Sequence, residues 1–233
     1  MRGNGISLYY LTAKCGDCVS EQNSVRFVCC GKLKTDEFKQ NDDRWKYELY
    51  NTTTPTYRRT IGEVGCALTS MATLINYYAK TYPELGISTT NPKKLNDILE
   101  NGIKPKGFNS NHDVIFDYIK STPISNGKIT YFQRKDYSYP LSEDSIREIK
   151  SLINEDIENK LPVIIAVRRT NESETEEWKH FMVIVGKCED KYIISDPALM
   201  ADELFDINQK IKLKNKSFVG PVISIRRFSK LNK

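Results

Sequence analysis

The chain has 233 residues, of which 39% are hydrophobic and 28% charged, and its net charge of +5 comes from 35 basic and 30 acidic side chains. That length suits one domain with a core large enough to position a catalytic site. The mild, interspersed charge excess excludes a dedicated nucleic-acid groove, which needs a basic cluster with interleaved aromatics, and no run approaches the roughly 18 apolar residues of a membrane span.

Residues 1–36 read as a separate cysteine-bearing segment. Two extended runs, Ile6–Thr12 and Ser24–Val28, flank Cys15 and Cys18 and lead to Cys29 and Cys30, which suggests a hairpin. The first fifteen residues hold a short apolar patch without the apolar stretch of a secretory signal. The compartment is left as cytoplasmic, or secreted with a signal absent from this chain. The cysteines Cys15, Cys18, Cys29 and Cys30 admit three states: a zinc site, disulfides or plain thiols. The adjacent pair Cys29 and Cys30 argues against zinc, because neighbouring thiolates rarely both reach one tetrahedral ion. Cys66 and Cys188 read as unpaired.

Residues 37–233 read as the catalytic domain. Phe38–Gly62 is polar and loop-like, with the run TTTP at 52–55. From Cys66 to Ala79 the residues Ala67, Met71, Leu74, Ile75 and Tyr78 recur at helical spacing. Leu85–Asn91 reads as a turn. Further helices are expected at Pro92–Glu100, with Asn91 as N-cap, at His112–Lys120, with Asn111 as N-cap, and at Glu143–Asn159, with Ser142 as N-cap. The apolar, β-branched runs Pro162–Arg168, Phe181–Lys187, Tyr192–Ser195 and Ser217–Phe228 read as antiparallel strands, the last broken at Gly220 and Pro221. Helices first and strands second predict an α+β fold with N-terminal helices packed on one side of a C-terminal antiparallel sheet.

Three residues carry the chemistry. Cys66 opens a predicted helix after Gly65, where the helix N-terminus favours a thiolate and offers free N–H groups to an oxyanion. Its bland alternative is a small buried hydrophobe on a core helix. The chain has two histidines. His180 opens a strongly apolar strand after the polar loop Thr170–Lys179, whereas His112 sits in a polar helix start and is the weaker candidate for a base. Asp196 ends the next strand ahead of Pro197, so a short turn between adjacent strands would bring it beside His180. A carboxylate there would orient the imidazole and stabilise its protonated form. A thiol, an imidazole and a carboxylate together follow the logic of nucleophilic catalysis.

The run TIGEVGCALTSMA at 60–72, continued by LINYY at 74–78, resembles the nucleophile motif of the bacteriocin-processing (double-glycine) peptidases and their stand-alone relatives. HFMVIVG at 180–186 and SDP at 195–197 are similar to the later motifs of that group, in the same order. The resemblance implies a papain-like fold with nucleophile Cys66, base His180 and orienting Asp196. It also implies an oxyanion-hole glutamine upstream, which QNDDRW at 40–45 supplies as Gln40. Ala67 and Leu68 stand where the family more often has Gly and then Pro. The chain has no transporter portion, neither spans nor a phosphate loop. It is expected to be a free-standing enzyme or a detached module, a cysteine peptidase acting on a peptide or protein substrate without a metal or organic cofactor. Two alternatives are an amidase or acyltransferase on a peptidoglycan-type amide, and a binding module that kept the fold. A third would make the N-terminal cysteines a metal-dependent recognition unit.

Overall fold

In a computed structural model of the protein, residues 18–19, 28–52, 56–103, 105–198, 204–207, 211–212 and 218–231 are described. Along the chain run β1 (Cys18–Val19), β2 (Val28–Cys29), β3 (Gly31–Lys32), α1 (Ile61–Val64), α2 (Cys66–Thr81), α3 (Pro92–Asp97) and β4 (Ile129–Asp136). Then follow α4 (Glu143–Glu158), β5 (Val163–Thr170), β6 (Glu177–Cys188), β7 (Lys191–Ser195), β8 (Leu204–Phe205), β9 (Ile211–Lys212) and β10 (Phe218–Lys230). The main sheet has the order β4-β10-β5-β6-β7-β8, with β3 added to β6 and β9 to β10. All its described pairings are antiparallel.

The caps form where the sequence puts them. The Asn91 side chain accepts from the Lys94 N–H ahead of Pro92, and the Ser142 side chain accepts from the Ser145 N–H. The helix from Pro92 ends its regular turns at Asp97 and widens into a π-turn over Ile98–Gly102. The helix expected over His112–Lys120 does not form. The Asn109 side chain accepts from the N–H groups of Asn111 and Asp113, both at 2.9 Å, and this local turn competes with helix initiation. His112 takes a left-handed φ of 66°, and only a 3₁₀ segment over Phe116–Ser121 follows. The edge strand β4 was not anticipated from the sequence. It lies on β10 with an alternating pattern of half-burial.

The expectation of helices on one side of the sheet is corrected. Along β5, Ile164 faces a core built on α2, while Val163, Ile165 and Val167 face a second core that includes Ile149 and Ile153 of α4. Strand β6 divides in the same way, Val183 and Val185 to one core, Met182 and Ile184 to the other. The sheet is therefore covered on both faces. This is why its central strands read as continuous apolar runs rather than alternating ones. On α2, Leu68, Met71, Leu74 and Ile75 are all 0% exposed. Each such side chain contributes roughly 1.5–3 kcal/mol relative to exposure. The fixed helix start is the consequence for the site: Cys66 cannot drift without moving this face. On the other side, Arg227 of β10 makes a buried two-pronged ion pair with Asp156 of α4, at 2.7 Å for each contact.

The cysteine readings are also corrected. The backbone of Cys18–Val19 pairs antiparallel with Val28–Cys29, as a hairpin would. Cys15 lies outside the described residues. Cys30 and Cys188, however, form a disulfide across 158 residues of chain, so Cys188 is not free and Cys30 is not a zinc ligand. The link is physically supported by β3, whose Gly31 and Lys32 pair with Lys187 and Gly186. A Cβ on Gly186 would collide with the Gly31 carbonyl oxygen, so the close approach of this strand needs glycine there. Peptide mapping without reduction is expected to yield a Cys30–Cys188 cross-linked peptide. Recovery of both cysteines as alkylatable thiols would contradict it.

Candidate active site

Thr60 caps α1 through a reciprocal pair: its N–H donates to the Glu63 carboxylate at 2.8 Å, and its side chain receives the Glu63 N–H. Directly after α1, Gly65 bridges it to α2. A Cβ at this position would collide with the Ile61 carbonyl oxygen and side chain, so only glycine permits so tight a junction. The junction sets Cys66 as the first residue of α2, half-buried, with its thiol unpaired. Its backbone N–H is among those a helix leaves unsatisfied at its N-terminus.

Strands β6 and β7 pair antiparallel through a two-residue turn after Cys188, with Ser195 opposite Val183. This register carries Asp196 past the strand end toward His180. Strand β6 begins earlier than its apolar run, at Glu177, because Glu177 pairs with Thr170 of β5. His180 therefore lies within the strand rather than opening it. Its Nε2 lies 2.7 Å from Asp196 Oδ1, and both side chains are nearly fully buried, at 4% and 1% exposure. Asp196 Oδ1 also accepts from the Ala198 N–H at 2.7 Å, which fixes the carboxylate's orientation. With Nε2 committed to Asp196, Nδ1 is the ring nitrogen left for Cys66, to whose side chain His180 is hydrogen-bonded.

The electrostatics of the trio follow from these contacts. Burial pushes the His180 imidazole toward neutrality, but Asp196 and then Cys66 outweigh it and raise its pKa to about 10. Burial likewise pushes the Cys66 thiol up. The His180 side chain, with the Phe181 and Ala67 N–H groups, overcomes this and holds the thiol below its ordinary value. Both shifts favour a thiolate beside an imidazolium. Tyr50 lies near, and burial first and then the Cys66 charge hold its phenol well above the usual range, hence neutral.

Gln40 joins the same site from far upstream. Its backbone N–H donates to the Pro197 carbonyl at 2.9 Å and its Nε2 donates to the Gly62 carbonyl at 2.7 Å. It is thus pinned between the loop after Asp196 and the segment before Cys66. At 6% exposure it is not an ordinary surface glutamine. Trp45 anchors the turn, buried and donating from Nε1 to the Lys39 carbonyl at 2.8 Å. The bond to Gly62 uses one of the two N–H groups of the Gln40 amide.

The sequence model of the Peptidase_C39 like family matches residues 36–216. The chain belongs to the Peptidase_C39 like family. A comparison with curated proteins gives no match. In this Peptidase_C39 like chain, Cys66, His180 and Gln40 all line one cleft of about 940 Å³. His112 lines it too, with different contacts: it stacks on Tyr57 at 3.7 Å, and its Nδ1 lies 3.1 Å from Asn51 Nδ2. It forms wall rather than trio. The sequence reading missed Tyr50, Tyr57 and Arg226 as cleft residues.

Membership in a peptidase family points to cysteine-peptidase chemistry in general. Among the described residues, no helix is long and apolar enough to cross a membrane.

Proposed function

We propose that this chain is a papain-like cysteine peptidase in which Cys66 is the nucleophile, His180 the general base and acid, and Asp196 the group that orients the imidazole. The observation that carries this reading is that one buried histidine joins the thiol at a helix start to a buried carboxylate.

The roles follow in order. The Cys66 thiolate attacks the carbonyl carbon of a peptide bond, forming a C–S bond and pushing the π electrons onto oxygen. The oxyanion accepts from the Cys66 backbone N–H and from Gln40 Nε2. Collapse breaks the C–N bond, and the proton on His180 goes to the leaving amine. His180, now neutral, takes a proton from water. The hydroxide attacks the thioester, the C–S bond breaks, and the acid product leaves behind the thiolate–imidazolium pair. Asp196 holds the ring in place and stabilises its positive charge through both steps.

Cleavage profiling with a peptide library, repeated with an added amine, tests the reading. Hydrolysed products that carry new free C-termini are expected. Products in which the acyl half is transferred to the amine, with no hydrolysis, would replace peptidase by acyltransferase. Gln40→Ala is expected to lower kcat by about 100- to 1000-fold, the usual effect of losing one oxyanion donor. KM should change far less, and thiol alkylation of Cys66 should stay fast. A loss confined to KM would remove Gln40 from the oxyanion hole.

A further inference from the structure

The cleft holds a charge arrangement that the catalytic trio does not use. Arg134 of β4 and Arg226 of β10 are cross-strand partners, and both line the cleft. Arg226 is buried, at 4% exposure. Its guanidinium lies 5.7 Å from the centre of the Phe116 ring and 5.9 Å from that of Phe181. Phe181 follows His180, and its backbone N–H reaches the Cys66 sulfur. Phe181 thus meets the guanidinium with its ring and the nucleophile with its backbone.

Its charge is incompletely met. Nη1 makes the hydrogen bonds of this guanidinium to the described residues: to Ser224 Oγ, to the Ile225 carbonyl at 3.2 Å and, at 3.5 Å, to Asp136 Oδ1. Asp136 is at the same time committed to Arg134, whose Nε donates to its Oδ2 at 2.6 Å. Two guanidinium groups thus share one carboxylate. Asp117 also lines this part of the cleft, but its carboxylate lies 3.4 Å from Lys120. Tyr131, a further titratable neighbour, is a phenol held above its ordinary pKa mainly by burial and so stays neutral. A desolvated cation with half a counter-ion is costly. An arriving carboxylate would complete it, and guanidinium donors match carboxylate geometry in a two-pronged bond.

We infer that Arg226 and Arg134, with Phe116, Tyr131 and Phe181 as apolar walls, form a subsite that recognises a carboxylate on the substrate. The inference rests on the peptidase reading above. The carboxylate comes either from an Asp or Glu side chain near the scissile bond or from a free peptide C-terminus, and the two sources share the same recognition chemistry.

The test uses matched peptides that differ only by Asp or Glu against Asn or Gln, or by a free C-terminal acid against its amide. Binding to a Cys66→Ala protein is measured by fluorescence anisotropy, and kcat/KM is measured on the active chain. At least a 10-fold preference for one acidic series is expected in both. Arg226→Gln, introduced into each protein, should bring the ratio close to one. Because Arg226 is buried and its loss can impair folding, Arg134→Gln on the exposed edge strand is the second variant, and the ratio should fall there several-fold. An equal affinity for acidic and neutral peptides in the Cys66→Ala protein would overturn the subsite, as would a preference that both arginine variants retain. Which series shows the preference identifies the carboxylate's source. Binding discrimination without any cleavage by the active chain would uphold the subsite and reject the peptidase reading instead.

Discussion

Cys66→Ala is expected to abolish peptide hydrolysis, with a fall of at least ~10⁴-fold in kcat/KM, the scale seen when a nucleophile is removed from a catalytic triad. The size of the effect follows from the chemistry. Without sulfur at this position there is no covalent intermediate, and the remaining oxyanion donors and binding contacts can only orient water. The substitution removes little packing, because Cys66 is only partly buried where it lines the cleft and Ala suits the first turn of a helix. The fold should therefore survive, and an unchanged thermal midpoint would separate chemical loss from unfolding. An epoxide probe for activated thiols should label the parent chain at Cys66 and fail to label the variant. Hydrolysis that persists in Cys66→Ala would remove the nucleophile from the mechanism altogether.

His180→Ala is expected to have the second-largest effect, and it is best read through the thiol rather than through turnover. In the parent chain the thiol's pKa is depressed, chiefly by His180 against the opposing push of burial. Alkylation by iodoacetamide should therefore stay fast as pH drops below the ordinary thiol pKa, and slow only when the thiolate is protonated. Removing His180 leaves burial as the dominant influence, so the thiol pKa should rise. Each unit of rise lowers the thiolate fraction tenfold, and a fall of roughly 100-fold in alkylation rate near neutral pH is expected. At the alkaline end, His180 keeps its proton until its own pKa of about 10. Activity should therefore hold through neutral pH and decline as pH climbs through that value, where the leaving amine loses its proton donor. Asp196→Asn keeps a hydrogen-bonding partner for the ring but removes the charge that raises the imidazole pKa. It should slow catalysis less than either change above and move the alkaline limb toward lower pH. An alkylation rate unaffected by His180→Ala would show that the ion pair does not exist.

The sequence singled out these three residues because each sits at a change in local pattern. Cys66 starts a helix that glycine introduces. His180 lies where a polar loop gives way to an apolar run, and Asp196 lies where Pro197 stops a strand. Local signals mark such boundaries, and the pairing of β6 with β7 follows from a short turn. Long-range packing was less accessible. That α4 covers the second face of the sheet shows only in three dimensions, because PVIIAV and FMVIV carry no alternation to say which side each residue serves. The helix expected at His112 failed because the Asn109 side chain holds the Asn111 and Asp113 N–H groups in a local turn, with His112 at a left-handed φ of 66° that a helix start does not allow. Helical spacing alone does not reveal that competition. The Cys30–Cys188 disulfide was missed for a similar reason: its partners are brought together by the β3–β6 pairing, which the sequence of a two-residue strand does not announce. Arg226 drew no notice in the sequence, and its burial beside the rings of Phe116 and Phe181 is what distinguishes it.

The most direct test of the central claim is to trap the intermediate. The protein is mixed with an activated peptide ester, quenched in acid within milliseconds, and analysed by intact mass and peptide mapping. The expected result is a mass increase equal to the acyl group, located on the peptide that contains Cys66, which decays as hydrolysed product appears. Product formation with no acyl adduct, or an adduct on any other residue, would contradict the account.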